Sequence, residues 1–108
     1  MALCTIWYIM PRMPGASLIF RRKLVFPDGA ILEAVIWRLP VASSERPHGL
    51  KYRLYYGKDG RRIVGYDNEL GKGDHRHLGD QEEPYVFRTV EQLWADFMAD
   101  VRRKRGES

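Results

Sequence analysis

Leu18-Ile19-Phe20-Arg21-Arg22-Lys23-Leu24-Val25-Phe26-Pro27-Asp28-Gly29-Ala30-Ile31-Leu32-Glu33-Ala34-Val35-Ile36-Trp37-Arg38-Leu39 decides the fold. Its first part alternates. Leu18, Phe20, Leu24 and Phe26 fall on one face, and Ile19, Arg21, Lys23 and Val25 on the other, the period of a strand. Pro27-Asp28-Gly29 then turns the chain, because proline presets φ and glycine accepts positive φ. Ala30–Leu39 reads as a second strand with Ile31, Val35, Trp37 and Leu39 on one side. The stretch predicts a β-hairpin.

The chain beyond it repeats the pattern. Pro40–Leu50 is a polar loop. Lys51–Tyr56 alternates, with Tyr52, Leu54 and Tyr56 opposite Lys51, Arg53 and Tyr55. Gly57-Lys58-Asp59-Gly60 predicts a turn, and Arg61–Tyr66 a returning fourth strand. Pro84–Phe87 is a candidate short strand. Thr89–Arg103 reads as a helix, with Thr89 as N-cap and Gln92 at N3. Val90, Leu93, Trp94, Phe97, Met98 and Val101 form its apolar stripe, and Asp96 and Asp100 are expected on its solvated side. The order predicts an α+β domain: an antiparallel sheet of four to five strands, in two hairpins, covered on one face by a C-terminal helix.

Composition fits one such domain over residues 17–105 of the 108. A hydrophobic fraction of 44% is enough for a core and excludes a disordered chain. No apolar run approaches the roughly 18 residues of a membrane span. Residues 1–16 are expected to be an N-terminal arm, or an extension upstream of a start at Met10 or Met13. Cys4 is the single cysteine, which excludes an intrachain disulfide and a cysteine zinc cluster and fits a cytoplasmic protein.

A sheet with one face under a helix leaves the other to explain. Arg21, Lys23, Lys51, Arg53 and Arg61 are expected there with Tyr55. Cations meet phosphates and tyrosine stacks on bases, so the mixture suits single-stranded nucleic acid as well as it suits solvent.

Gly65-Tyr66-Asp67-Asn68-Glu69-Leu70-Gly71-Lys72-Gly73-Asp74-His75-Arg76-His77 holds the densest chemistry. Tyr66–Glu83 carries six acids against two bases, a local −4 in a chain of net +4. The reading is a polar loop bearing a site. His75 and His77 supply a base and an acid near neutral pH, Lys72 and Arg76 stabilise a phosphorane, Tyr66 contacts a phosphate, and Asp74 fixes a histidine tautomer. No cofactor is needed for that route. An alternative uses a divalent metal held by His75, His77, Asp74 and Asp67. A third reading is a non-catalytic binding module, and the plainest is a structural Ω-loop. Gly-Lys-Gly-Asp-His lacks the phosphate-loop pattern, which argues against a nucleoside triphosphatase.

Leu24–Ala30, Lys51–Tyr56, Tyr66–His77, Glu83–Phe87 and Leu93–Phe97 together resemble, in order, the TumE-type toxins of prokaryotic toxin–antitoxin modules. The resemblance covers roughly Leu18–Arg103, and Tyr-Asp-Asn…Gly-Lys-Gly-Asp-His-x-His is its most specific part. It implies a small cytoplasmic toxin of a type II module. It also implies a helix-turn-helix antitoxin encoded beside it, and growth arrest through damage to RNA or translation.

Overall fold

The computed structural model describes residues 15–44, 46–69 and 73–106. Within them six strands form one sheet: β1 Ser17–Val25, β2 Ile31–Arg38, β3 Leu50–Lys58, β4 Arg61–Asp67, β5 His75–Leu78 and β6 Gln81–Pro84. They lie in chain order with every neighbour antiparallel, a simple meander. The helix α1, Val90–Lys104, follows. The α+β architecture matches the sequence expectation, with a higher strand count.

The turns explain the tight connections. Gly29 sits at φ 88°, and Asp28 Oδ1 accepts from Ala30 N at 3.1 Å. Asp59 and Gly60 both have positive φ, 54° and 76°. That is the two-residue hairpin turn whose twist matches the flanking strands. Gly57 and Lys58 therefore belong to β3 rather than to the turn.

The helix starts where the sequence puts it. Thr89 Oγ1 accepts from Gln92 N at 2.9 Å. Gln92 Nε2 donates to Asp96 Oδ1 at 2.8 Å, one turn along the helix. Leu93, Phe97 and Val101 are buried against β4 and its neighbours. They meet Leu32, Ile36, Leu54, Val64 and Tyr66 in one core, the packing that supplies most of the stability of so small a domain. Trp94 closes the stripe edge-on to Phe20, ring centres 5.1 Å apart.

The structure adds one assignment and changes two expectations. Ala30 and the β2 residues Leu32, Ala34 and Ile36 face the helix side, so Ile31, Val35 and Trp37 face away from it. Both faces of β2 are buried at mid-sheet, and two buried faces blur the alternation that would have told them apart. Asp100 is buried at 2% exposure, not solvated. Finally, Tyr66–His77 is not a single loop. Tyr66 and Asp67 end β4, and His75–His77 open the β5–β6 hairpin through Gly79 at φ 61°. Leu70, Gly71 and Lys72, like Cys4, Trp7 and most of the expected N-terminal arm, lie outside the described residues.

Candidate functional site

Register places the chemistry. In an antiparallel pair, directly opposed residues share a face. Lys23, Glu33, Tyr55, Gly65, His77 and Glu82 are opposed in sequence across all six strands. Arg21, Val35, Arg53, Asp67, His75 and Pro84 form the next row on the same face. The histidine pair and the basic positions Arg21, Lys23, Lys51 and Arg53, read from the sequence as separate features, therefore share the face turned away from α1.

Their settings are opposite in charge. His75 is 4% exposed. Its Nδ1 lies 3.0 Å from Gly73 O, and its Nε2 lies 2.7 Å from Asp67 Oδ1 and 3.5 Å from Glu82 Oε2. The Gly73 carbonyl oxygen only accepts, so Nδ1 carries the proton of that bond. The Asp67 contact is one of charge and proximity, since Oδ1 makes no hydrogen bond and is buried. His77, 8% exposed, instead receives a hydrogen bond at Nδ1 from Arg62 Nη2 at 3.0 Å. A lone pair must be present at Nδ1 to accept it. Burial, then the Arg62 charge, hold the His77 imidazole below its ordinary 6.5. The two rings stand edge to face, centroids 4.9 Å apart.

That shift makes a prediction. The folded protein resists a proton at His77 that the unfolded chain accepts near pH 6.5. The stabilisation is thus complete above pH 6.5 and is lost as the pH falls through the folded value. Denaturant unfolding between pH 7.5 and 5 should show a steeper loss in the wild type than in His77→Gln. Equal slopes would refute it.

Two glycines with ordinary backbone angles make room for this arrangement. A Cβ at Gly65 would lie 2.7 Å from Arg62 Cδ, and one at Gly57 would lie 2.3 Å from the Tyr55 hydroxyl. Arg62 crosses Gly65 to reach His77, and Tyr55 folds over Gly57. Arg62 owes its direction to a β-bulge. Tyr56 opposes Val64 but Gly57 opposes Arg62, leaving Ile63 as the extra residue and bringing Arg62 to the site face.

Other expected residues go elsewhere. Tyr66 is fully buried on the helix side, its hydroxyl donating to Asp100 Oδ2 at 2.5 Å. Burial and that bond push its phenol above the ordinary tyrosine range, away from proton transfer near neutrality. Arg76 also faces α1, bonded to Tyr66, Asp100 and Glu83. Asp74 does fix a histidine tautomer, but that of His48: Asp74 Oδ2 lies 2.9 Å from His48 Nε2 and accepts from Tyr52 at 2.7 Å. His48 Nδ1 accepts from Leu50 N, and Phe87 lies against its ring at 4.3 Å. This clip has no spare nitrogen for chemistry. Lys51, opposite Trp37, is half-buried on the site face, and burial followed by the Arg46 charge lowers its ammonium pKa. Arg61 is not on the site face: it opposes Lys58, two residues beyond core-facing Tyr56, because the bulge at Ile63 gives Arg62 that side, and it lines a groove described below.

Three residues of the face escape a sequence reading. Arg62 is moved there by the bulge. Glu82 belongs to an unforeseen strand. Glu33 is 2% exposed with neither carboxylate oxygen hydrogen-bonded, and Lys23 Nζ stands 3.6 Å away. Its only sequence signal is a single acid inside the apolar run Ile31–Trp37.

Asp67, His75 and His77 offer one ligand atom each within 4.8 Å of one another, a donor set suited to a divalent transition metal. The unbonded Asp67 Oδ1 fits that use. The Arg62 guanidinium on His77 Nδ1 opposes it, since it occupies the lone pair and repels a cation. Asp74 is not part of the set.

A family model described as "Toxin TumE" matches residues 9–105. No curated protein and no solved structure matches the chain.

Proposed function

Since the chain belongs to the TumE toxin family, we propose that it arrests growth as a metal-independent endoribonuclease whose acid and base are His75 and His77. The opposite charge settings of the two histidines carry this reading. Two carboxylates, Asp67 and Glu82, flank His75, while burial and then the Arg62 charge make His77 harder to protonate. Unlike surroundings around two like groups are how acid and base are divided in many sites.

The reaction follows from that division. His77 takes the 2′-hydroxyl proton, and the 2′-oxygen attacks phosphorus. His75 protonates the departing 5′-oxygen. The products are a 2′,3′-cyclic phosphate and a 5′-hydroxyl. Arg53, opposite Asp67, meets charge developing on the phosphate, and Tyr55 stacks on a base. Arg21 and Lys23 extend the cationic surface along the strand. The toxin works in the cytoplasm beside a helix-turn-helix antitoxin, and an acidic segment of that partner suits the same basic rows. No helix among the described residues is long and apolar enough to cross a membrane.

The unbonded Asp67 oxygen favours a second reading, a metal-dependent nuclease using Asp67, His75 and His77. A bound ion would act there as a Lewis acid on the phosphate. Incubating the full-length protein with total RNA, with and without a chelator, separates the two. Cleavage unchanged by chelator is expected. Loss restored by a divalent metal supports the second reading, and intact RNA under all conditions removes both.

A further inference from the structure

The groove between the β3–β4 and β5–β6 turns has no role in the chemistry above. It has a volume of about 540 Å³ and is lined by Lys58, Arg61 and Arg62 together with Asp59, Ile63, Gly79 and Asp80. Three cations and two carboxylates line it, and Lys58 Nζ also lies 3.9 Å from Asp28 Oδ2. Arg62 belongs to both places: it lines the groove and also donates to His77 Nδ1 at 3.0 Å. One guanidinium thus connects a cationic groove to the nitrogen that must accept a proton in the proposed reaction.

That connection raises a difficulty. A general base needs a free lone pair, and the neutral imidazole has only one. In this structure Arg62 holds it. His77 is also nearly buried, so a 2′-hydroxyl cannot reach Nδ1 while the arginine lies over it. A long exposed side chain is easily moved, and a phosphate is a far better partner for a guanidinium than an imidazole nitrogen.

We propose that the groove is a subsite for a phosphodiester of the RNA strand and that Arg62 is a positioning residue coupling it to His77. With the groove empty, Arg62 lies on Nδ1 and the base is covered. A phosphate held by Lys58 and Arg61 draws the guanidinium across, and Nδ1 is uncovered when substrate is in place. The proton of the 2′-hydroxyl then passes to Nδ1 as the 2′-oxygen bonds to phosphorus, and nothing else is consumed. The β-bulge at Ile63 and the missing side chain at Gly65 are the features that let one arginine reach both positions.

This inference rests on the ribonuclease reading, and the experiment keeps the two apart. Full-length protein made by cell-free synthesis with labelled histidine reports the hydrogen bond through the His77 ring nitrogen resonances. A non-cleavable 2′-O-methyl RNA oligonucleotide serves as the ligand, and the matching unmodified RNA as the substrate. In the wild type, saturating 2′-O-methyl RNA should move Nδ1 from a bonded to an unbonded position. Lys58→Gln/Arg61→Gln should leave it unmoved at the same concentration. Gly65→Ala adds a methyl where Arg62 Cδ now passes, so Nδ1 should be unbonded even without RNA. Arg62→Ala should raise KM about fivefold, the loss of one charge-assisted contact, with kcat little changed.

Loss of kcat in both Gly65→Ala and Arg62→Ala would mean that Arg62 is needed on His77, and would overturn the coupling. Cleavage by the wild type with an unmoved Nδ1 would overturn it and leave the nuclease reading intact. A moved Nδ1 without cleavage of unmodified RNA would do the reverse. No binding of RNA at all would remove both.

Discussion

His77→Ala is expected to abolish growth arrest and to lower RNA cleavage by roughly 10²–10⁴-fold, the usual contribution of a positioned acid or base. The same loss is expected for His75→Ala, and the double variant should be little worse than either single one, because the two act in one proton cycle. The fold should survive. Both rings lie on the face away from the core cluster, and neither belongs to it. His77→Ala also removes a group that burial keeps from its proton, so stability below pH 6.5 should rise slightly relative to wild type. Thermal unfolding of each variant beside total-RNA integrity after induction makes the comparison. Full arrest by a folded double variant would move the activity off the histidines. In that event Arg21→Glu with Arg53→Glu would separate a binding toxin from an inert one. Loss of arrest there, with the histidines dispensable, would place the function on the cationic rows as a non-catalytic block.

The fold was legible because its signals are local. Proline and glycine at Pro27 and Gly29, the Asp59-Gly60 pair and the Thr89 cap each act within a few residues, and the helix stripe repeats over four turns. β5 was hidden because His75-Arg76-His77-Leu78 has no apolar alternation. Its site face carries imidazoles, and its other face pairs an arginine with a buried aspartate. A strand that uses polar contacts on both sides looks like a loop until its partners are known.

The site was half legible for the same reason. That His75 and His77 point the same way follows from strand geometry alone. That Arg53 and Tyr55 share their face depends on register through β4, which no local signal sets. Alternation also misassigns Arg62, since a bulge one residue away reverses its side. Tyr66, Arg76 and Asp74 look equally reactive in the sequence. Reactivity depends on what the group already touches, and these three are committed to Asp100, Glu83, Tyr52 and His48.

Asp100→Ala should destabilise the protein by about 3–5 kcal/mol, the cost of removing one partner from a buried charged network. Asp100 is buried under α1 and gathers three donors: the Tyr66 hydroxyl at 2.5 Å, Arg76 Nη1 at 3.3 Å and Arg103 Nη2. Without it Tyr66 keeps only Arg76 Nη1, which donates to the same oxygen at 3.2 Å, so the buried phenolic proton has no acceptor. Tyr66→Phe should cost less, about 1–3 kcal/mol, because Asp100 keeps both arginines. Asp100→Asn should fall between them and the wild type, since an amide oxygen still accepts from Tyr66 but the charge facing two guanidiniums is gone. The Tyr66→Phe/Asp100→Ala double variant should be less destabilised than the sum of its parts, by 1 kcal/mol or so, as contacting residues are. Equilibrium denaturant unfolding of the four proteins gives these values. An Asp100→Ala protein within about 1 kcal/mol of wild type would mean that the network is not a stabilising element. RNA cleavage by Tyr66→Phe supplies the functional side. Its ring stays in the core and its missing hydroxyl faces the helix, so cleavage per folded molecule should be unchanged. A large loss there would return Tyr66 to the chemistry and require the substrate to engage the opposite face of the sheet.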